Sequence, residues 1–257
     1  MTFRLLSYNI RYGGAGREAA LAAAISARAP DVVVLQEATR PDIVERLAAA
    51  TGMSRWGAQA THSVGFMSRL PVAGYAWHRP PACRRAFLEL ELASGLRVFG
   101  VHLSALHSNW TERRRMRELA ALLAAIQVHQ HGPHVLAGDF NTLAPGEQLD
   151  LGRLPRRLRA LAWLSGRTIR WQTIQMMLDA RYVDGYRMLH PTSAGFTFPT
   201  WDPHVRLDYV FTPERYAERL SACEVRRKPD EVVRASDHFP LLVEFSDGFV
   251  ERREVSA

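Results

Sequence analysis

Apolar residues along the chain follow two rhythms, strand-like runs and stripes three or four apart, and their alternation outlines the predicted elements. Phe3 to Ile10, with Leu5 and Leu6 at its centre, reads as a strand that ends in the glycine turn Arg11-Tyr12-Gly13-Gly14. Arg17 to Ala29 is alanine-rich, with Leu21 and Ile25 four apart, which predicts a helix stopped by Pro30. Asp31 to Gln36 then carries Val-Val-Val-Leu, a continuous apolar strand closing on Gln36-Glu37. Strand, helix and strand in that order fit a crossover connection within one sheet.

Pro41 to Ala50 predicts a second helix, ended by Gly52. From Ser63 to Leu103 the signals are those of strands: Val64 to Ser68, Val72 to Trp77, and Ala86 to Leu92, where Leu88, Leu90 and Leu92 alternate with Phe87, Glu89 and Glu91. Ser94-Gly95 turns the chain, and Leu96 to Leu103 returns as the hairpin partner with His102 near its end. Thr111 is read as the cap of a helix running to about Gln130, with Arg113, Arg114, Arg115 and Arg117 on its exposed face and Leu119, Leu122, Leu123 and Ile126 on its apolar one. Val135, Leu136 and Ala137 follow Gly132-Pro133 and end a buried strand, after which Gly138 allows a close backbone approach and Asp139 and Asn141 emerge. Arg153 to Ala180 interleaves arginines with Trp163 and Trp171 and reads as surface helices, with Arg157, Arg159, Trp163 and Arg167 as candidate nucleic-acid contacts. Arg206 to Phe211, Cys223 to Arg226 and Phe239 to Phe245 are further strands, the last preceded by Ser236-Asp237-His238.

Composition narrows the class. A chain of 257 residues with 47% hydrophobic content can bury one large core, and the order of elements favours a single domain over residues 1–246 with a polar tail at 247–257. The longest apolar stretch, Leu119 to Ile126, is far too short to span a membrane, and Met1 to Asn9 has no export signature. Cys83 and Cys223 form neither a zinc motif nor a disulfide framework, so the expectation is a monomeric protein of the reducing cytoplasm. The formal net charge is +7, and Lys228 is the sole lysine, so the basicity is that of arginine, whose fork suits phosphate oxygens.

Polar residues gather where predicted strands end: Asn9, Glu37, His102, Asp139, Asn141, Asp208, Asp237 and His238. Carboxylates without cysteines make an oxygen-rich site for a hard divalent cation, and Asp-His pairs orient an imidazole. The blocks Ser7-Tyr8-Asn9-Ile10, Leu35-Gln36-Glu37, Val101-His102-Leu103, Gly138-Asp139-Phe140-Asn141, Arg206-Leu207-Asp208-Tyr209 and Ser236-Asp237-His238-Phe239-Pro240 occur in an order that resembles the endonuclease/exonuclease/phosphatase (DNase I-like) superfamily. That resemblance implies a four-layer α/β sandwich, two packed mixed β-sheets flanked by helices, with the active site at one end of the sheets.

The resemblance also implies roles. Glu37 is similar to the principal ligand for Mg²⁺ (or Mn²⁺), with Asn9 and Asp237 close to the metal. Asp139 and Asn141 resemble the pair that handles the nucleophilic water and a phosphate oxygen. His238 resembles the general base or phosphate-contacting histidine held by Asp208, and His102 the second histidine of the DNase I and sphingomyelinase branches. Arg69, in the superfamily phrase Ser68-Arg69-Leu70-Pro71, is an expected phosphate contact. Arg11 stands where repair-type enzymes carry an acidic residue, and His102 where many of them carry tyrosine, whereas Tyr182 to Thr197 is similar to exonuclease III-like enzymes. The expected activity is therefore metal-dependent hydrolysis of phosphodiesters, with nucleic acid as the leading substrate and no membrane insertion. A sphingomyelinase-like phospholipid or small phosphate-ester hydrolase is the alternative. An inactive binding module would have lost some of Glu37, Asp139, Asn141, Asp208 and His238, and all are present.

Overall fold

A computed structural model describes residues 2–81, 83–105, 108–129, 131–153, 159–160, 171–246 and 249. Two six-stranded mixed sheets pack face to face with helices on both outer surfaces, the expected four-layer sandwich. The first sheet has the order β11-β12-β1-β2-β4-β3. Its strands are β1 (Phe3–Asn9), β2 (Val32–Gln36), β3 (Arg55–Gly57), β4 (Val64–Ser68), β11 (Leu220–Val225) and β12 (Leu241–Phe245). The second has the order β5-β6-β7-β8-β10-β9. It comprises β5 (Val72–His78), β6 (Phe87–Leu92), β7 (Arg97–His102), β8 (His134–Asp139), β9 (Tyr182–Asp184) and β10 (Asp208–Pro213).

The apolar runs follow from this layering, because a central strand between a helix layer and a second sheet is buried on both faces. In β2, Val32 and Val34 face the other sheet, while Val33 and Leu35 face helices α1 (Glu18–Ser26) and α2 (Pro41–Ala50). In β8, Val135 and Ala137 face inward, and Leu136 packs with Leu119 and Leu122 of α3 (Asn109–Ala125). Gly100 on β7 sets the approach of the sheets, since a Cβ there would lie 2.7 Å from Val64 Cγ1 and 3.0 Å from Val34 Cγ1. Each sheet contains one parallel pair joined by a helical crossover, β1 with β2 through α1 and β7 with β8 through α3. β10 and β12 run antiparallel to β8 and β1, so the starts of the former lie beside the ends of the latter.

Several expectations are corrected. The cap of α3 is Ser108; Thr111 is its third residue, closing a capping box, and the helix stops at Ala125. Arg115 is fully buried, because its guanidinium turns inward to Glu112 and to the carbonyl of Ser104. The stretch after Arg153 contributes α4 (Thr173–Asp179), with Ile174 and Met177 buried; Arg159 is exposed, and Arg157, Trp163 and Arg167 lie outside the described residues. Two short helices escape the sequence pattern, α5 (Gly185–Leu189) and α6 (Glu231–Ala235). Phe249, assigned to a polar tail, is buried and stacks on Phe245 with centroids 4.0 Å apart. Among the described residues no helix is long and apolar enough to cross a membrane.

Candidate active site

Strand register alone brings three site residues into one row. His102 pairs with Asp139 across β7 and β8, and Asp139 pairs with Asp208 across β8 and β10. Two carboxylates directly opposite each other on neighbouring strands repel, and both are buried, so the sheet gains nothing from them as structure. The strand backbones close tightly beneath them: a Cβ on Gly138 would lie 1.9 Å from the carbonyl oxygen of Val101, which leaves room for glycine only.

The first sheet supplies the other half. Asn9 ends β1, and its side-chain amide crosses between the sheets to Asp139 Oδ2 at 3.1 Å. The same Nδ2 lies 3.5 Å from Glu37 Oε1, just past the end of β2. Asn9 Oδ1 accepts from the Arg11 amide at 3.0 Å, and Glu37 Oε2 accepts from the Tyr12 amide at 2.6 Å, so the glycine turn folds over both. Arg17 fastens that turn by donating to the carbonyls of Arg11 and Ala235. Glu37 and Asn141 both adopt left-handed φ angles, 57° and 53°. A glutamate in that region is strained by about 1 kcal/mol or more, a cost that collects at functional sites.

The loop before β12 completes the arrangement. Ser236 Oγ donates to the Asn9 carbonyl at 2.6 Å, and the amide of Thr200 donates to the Asp237 carbonyl at 2.9 Å. His238 Nδ1 meets Asp208 Oδ2 at 2.8 Å, and its Nε2 points to Asp139 Oδ2, 4.0 Å away. His102 Nε2 lies 3.8 Å from the same oxygen. Asn141 donates its backbone N–H to Asp139 Oδ1 at 2.9 Å and its side-chain amide to the Leu103 carbonyl at 3.2 Å. Asp139, Asp208 and His238 together form a buried group able to hold a metal ion, and Asp208 Oδ1 has no hydrogen-bond partner.

The electrostatics separate the two histidines. Burial opposes charge on His238, but the Asp208 carboxylate against its Nδ1, with Asp139 and Asp237 nearby, outweighs this and raises its pKa. Burial lowers His102 well below the ordinary histidine range, and the charges of Arg85 and His238 add to the effect. Burial raises the Asp139 carboxyl, only partly opposed by His238. At neutral pH the site therefore holds an imidazolium at 238, a neutral imidazole at 102 and a carboxyl at 139 poised to exchange a proton.

Seven of the strand-end residues, Asn9, Glu37, His102, Asp139, Asn141, Asp208 and His238, are brought together at one end of the sandwich. Asp237 sits at the rim, 3.3 Å from Arg11 Nε through its Oδ2. Arg69 does not join them. It follows β4, which runs antiparallel to β2, so it lies at the opposite end and caps the carbonyls of Pro30 and Thr51 at 3.1 and 2.7 Å. A cation that sequence reading missed takes its place: half-buried Arg85 donates to the Leu103 carbonyl at 2.7 Å and lies within the fields of Asp139 and Glu37.

Known proteins with this architecture were compared with the chain. It superposes on a 3′ phosphatase from Neisseria bound to product DNA hairpin with a TM-score of 0.73 and 22% identity over 95% of this chain and 99% of that one. An AP endonuclease from Archaeoglobus fulgidus gives a TM-score of 0.71 with 18% identity over 95% and 99%. An endonuclease/exonuclease/phosphatase from Beutenbergia cavernae gives 0.68 with 22% identity over 100% and 73%. No curated protein matches by sequence. The profile described as the Endonuclease/Exonuclease/phosphatase family matches residues 6–238, a span containing every strand-end residue above, and the chain belongs to that family of phosphoester hydrolases.

Proposed function

We propose that the chain is a Mg²⁺-dependent phosphodiesterase that cleaves nucleic acid. The observation that carries this reading is the relay from Asp208 through His238 toward Asp139, an imidazolium held by one buried carboxylate and aimed beside a second. Phosphodiester hydrolysis asks a protein for that: a proton acceptor for the attacking water and fixed positive charge on the phosphate oxygens.

The donor set fits a hard cation. Glu37 and Asp237 offer oxygens at the half-open rim with the buried Asn9 beside them, and Mg²⁺ uses one or two carboxylates and keeps several waters. His238 Nδ1 is engaged by Asp208, so in this reading the ring serves as a hydrogen-bond donor and the cation is left to the oxygens. Mn²⁺ suits the same oxygens. When bound, the cation supplies charge neutralisation at the phosphate and at the leaving oxygen.

The chain's own groups do the rest. Asp139, fixed on one oxygen by the Asn141 amide and on the other by Asn9, takes the proton of the water that attacks phosphorus. His238 Nε2–H donates to a non-bridging oxygen as charge builds, while Asp208 keeps the ring oriented. The Asn141 side chain and neutral His102 contribute further donors to the phosphate and the departing oxygen. Arg85 adds a fixed cation behind them. Nucleic acid is favoured as substrate by the arginine-dominated net charge of +7 and by two structural neighbours, one bound to a product DNA hairpin and one named an AP endonuclease.

The test is hydrolysis of single- and double-stranded DNA, RNA, sphingomyelin, an inositol phosphate and bis(p-nitrophenyl) phosphate, each with Mg²⁺ and with EDTA. Metal-dependent cleavage of the nucleic acids is expected. Cleavage confined to the lipid or the inositol phosphate would keep the site chemistry and replace the substrate. Metal-independent or absent turnover on all of them would overturn the proposal.

A further inference from the structure

We infer that the solvent face of the first three turns of α3, with Arg84 beside it, is a track for the phosphate backbone of the nucleic-acid strand flanking the scissile bond. The inference rests on the substrate class proposed above. Trp110, Arg113, Arg114 and Arg117 stand at positions i, i+3, i+4 and i+7 of α3 and so share one face. All four are exposed, Trp110 at 62%. The opposite face holds Leu119 and Leu122 in the core and the buried Glu112, Arg115 and Glu118.

Nothing among the described residues accounts for this stripe. Arg113 and Arg117, four apart on the helix, repel each other. Arg4, Arg40, Arg46, Arg97, Arg181 and Arg234 elsewhere on the surface are each held by a carboxylate, and Arg79 and Arg227 by a backbone carbonyl. Arg113, Arg114 and Arg117 pair with no carboxylate among the described residues. A cluster of unmatched guanidiniums that costs helix stability fits a polyanion supplied from outside.

The stripe is also tied to the reacting end of the molecule. Glu112 accepts three hydrogen bonds on each oxygen, from Gln172 N, Thr173 N and Thr173 Oγ1 on one and from Thr142 Oγ1 and Arg115 Nε and Nη2 on the other. Thr142 follows Asn141, and Arg115 holds the carbonyl of Ser104, two residues past His102. Glu118 takes the Ser104 amide and hydroxyl and the Arg84 amide, which ties Arg84, the chain neighbour of Arg85, to the helix residue next to Arg117. From Trp110 to Arg117 the helix rises about 10 Å, room for about three phosphates of one strand at about 3.4 Å per charge. Trp110 at the near end offers an exposed ring for a base or sugar.

The experiment compares the wild type with Arg113→Gln/Arg114→Gln/Arg117→Gln. A control, Arg55→Gln/Arg181→Gln/Arg215→Gln, removes the same charge at the far end of the sheets. Binding of a short DNA single strand and its duplex is read by fluorescence anisotropy against salt, in Ca²⁺ to suppress turnover, and hydrolysis of bis(p-nitrophenyl) phosphate is measured in parallel. The stripe variant should lose about 2–3 units of the log affinity against log salt slope. Between about 50 and about 200 mM salt, wild-type affinity should therefore fall about 16- to 64-fold further than that of the variant. Small-ester hydrolysis should stay at the wild-type level, and Trp110→Ala should weaken single-strand binding at least about fivefold. A slope change no larger than that of the control, or a wild type that binds neither DNA, overturns the inference. A wild type that binds through the stripe yet cleaves no nucleic acid would refute the proposed reaction and leave the track standing.

Discussion

Asp208→Asn isolates what the buried carboxylate does for His238. The substitution keeps the side chain's shape and leaves an amide oxygen able to accept from Nδ1, so the 2.8 Å contact can persist while the charge is removed. Burial and Asp208 act on His238 in opposite directions, and without the carboxylate burial is opposed only by Asp139 and Asp237, which shifts the ring toward its neutral form. Losing a charge-assisted hydrogen bond to the imidazolium costs about 1.5–3 kcal/mol, which corresponds to about 10- to 150-fold in rate at about 1.4 kcal/mol per decade. The amide can also hold the wrong tautomer, and in serine proteases the equivalent change lowers kcat by about 10⁴. The expected loss in kcat is therefore about 10²- to 10⁴-fold, with KM within about threefold of wild type. At saturating Mg²⁺, residual activity should rise as pH falls below neutrality, where the ring regains its proton, a rise the wild type does not show. The assay is bis(p-nitrophenyl) phosphate hydrolysis across pH, with thermal melting as a check of folding. A variant within threefold of wild type in kcat and with the same pH profile would refute the role given to Asp208, threefold being about the precision of such reasoning.

Other outcomes follow from the same contacts. Asp139 and His238 have raised pKa values while those of His102 and His134 are lowered, so above about pH 7, where the latter two are neutral folded or unfolded, these four groups hold more protons in the folded metal-free protein than in the unfolded chain, and their contribution to stability should fall as pH rises. Mg²⁺ supplies the missing positive charge, so its shift in Tm should be larger at pH 8 than at pH 6; a shift independent of pH would contradict this. Gly138→Ala should destabilise by about 3 kcal/mol or more in denaturant unfolding, since the new methyl meets the Val101 carbonyl. In Glu112, burial is outweighed by Arg115 and the amides of Thr173 and Gln172, and its pKa is lowered. Glu112→Gln should cost about 3–5 kcal/mol near neutral pH. That difference should shrink as pH drops below about 4, where the wild-type carboxyl gains its proton; a constant difference would contradict the assignment.

The strands were legible because being covered on two faces demands continuous apolar runs, and Val32 to Leu35 or Val135 to Ala137 have no other reading. Strand-end polarity marked most of the candidate site for the same reason: Asn9, Glu37 and Asp139 interrupt apolar runs where burial would penalise them. Arg69 was misplaced because a motif carries no direction; β4 runs antiparallel to β2, and its last residues lie at the far end. Arg85 was missed because its position depends on contact with the Leu103 carbonyl across the fold, which no local period encodes. Arg115 looked like its neighbours in sequence, and only its partners Glu112 and Ser104 decide that it turns inward.

The strand order of the first sheet has a consequence for how competence is acquired. β12, late in the chain, inserts between β1 and β11, and the segment leading into it carries Asp237 and His238. A chain that is nascent or clipped before that strand lacks both the central pairing of β1 and the imidazolium that Asp208 is built to hold. Architecture and reactivity are thus completed by one late insertion, and shorter chains should be inert rather than weakly active.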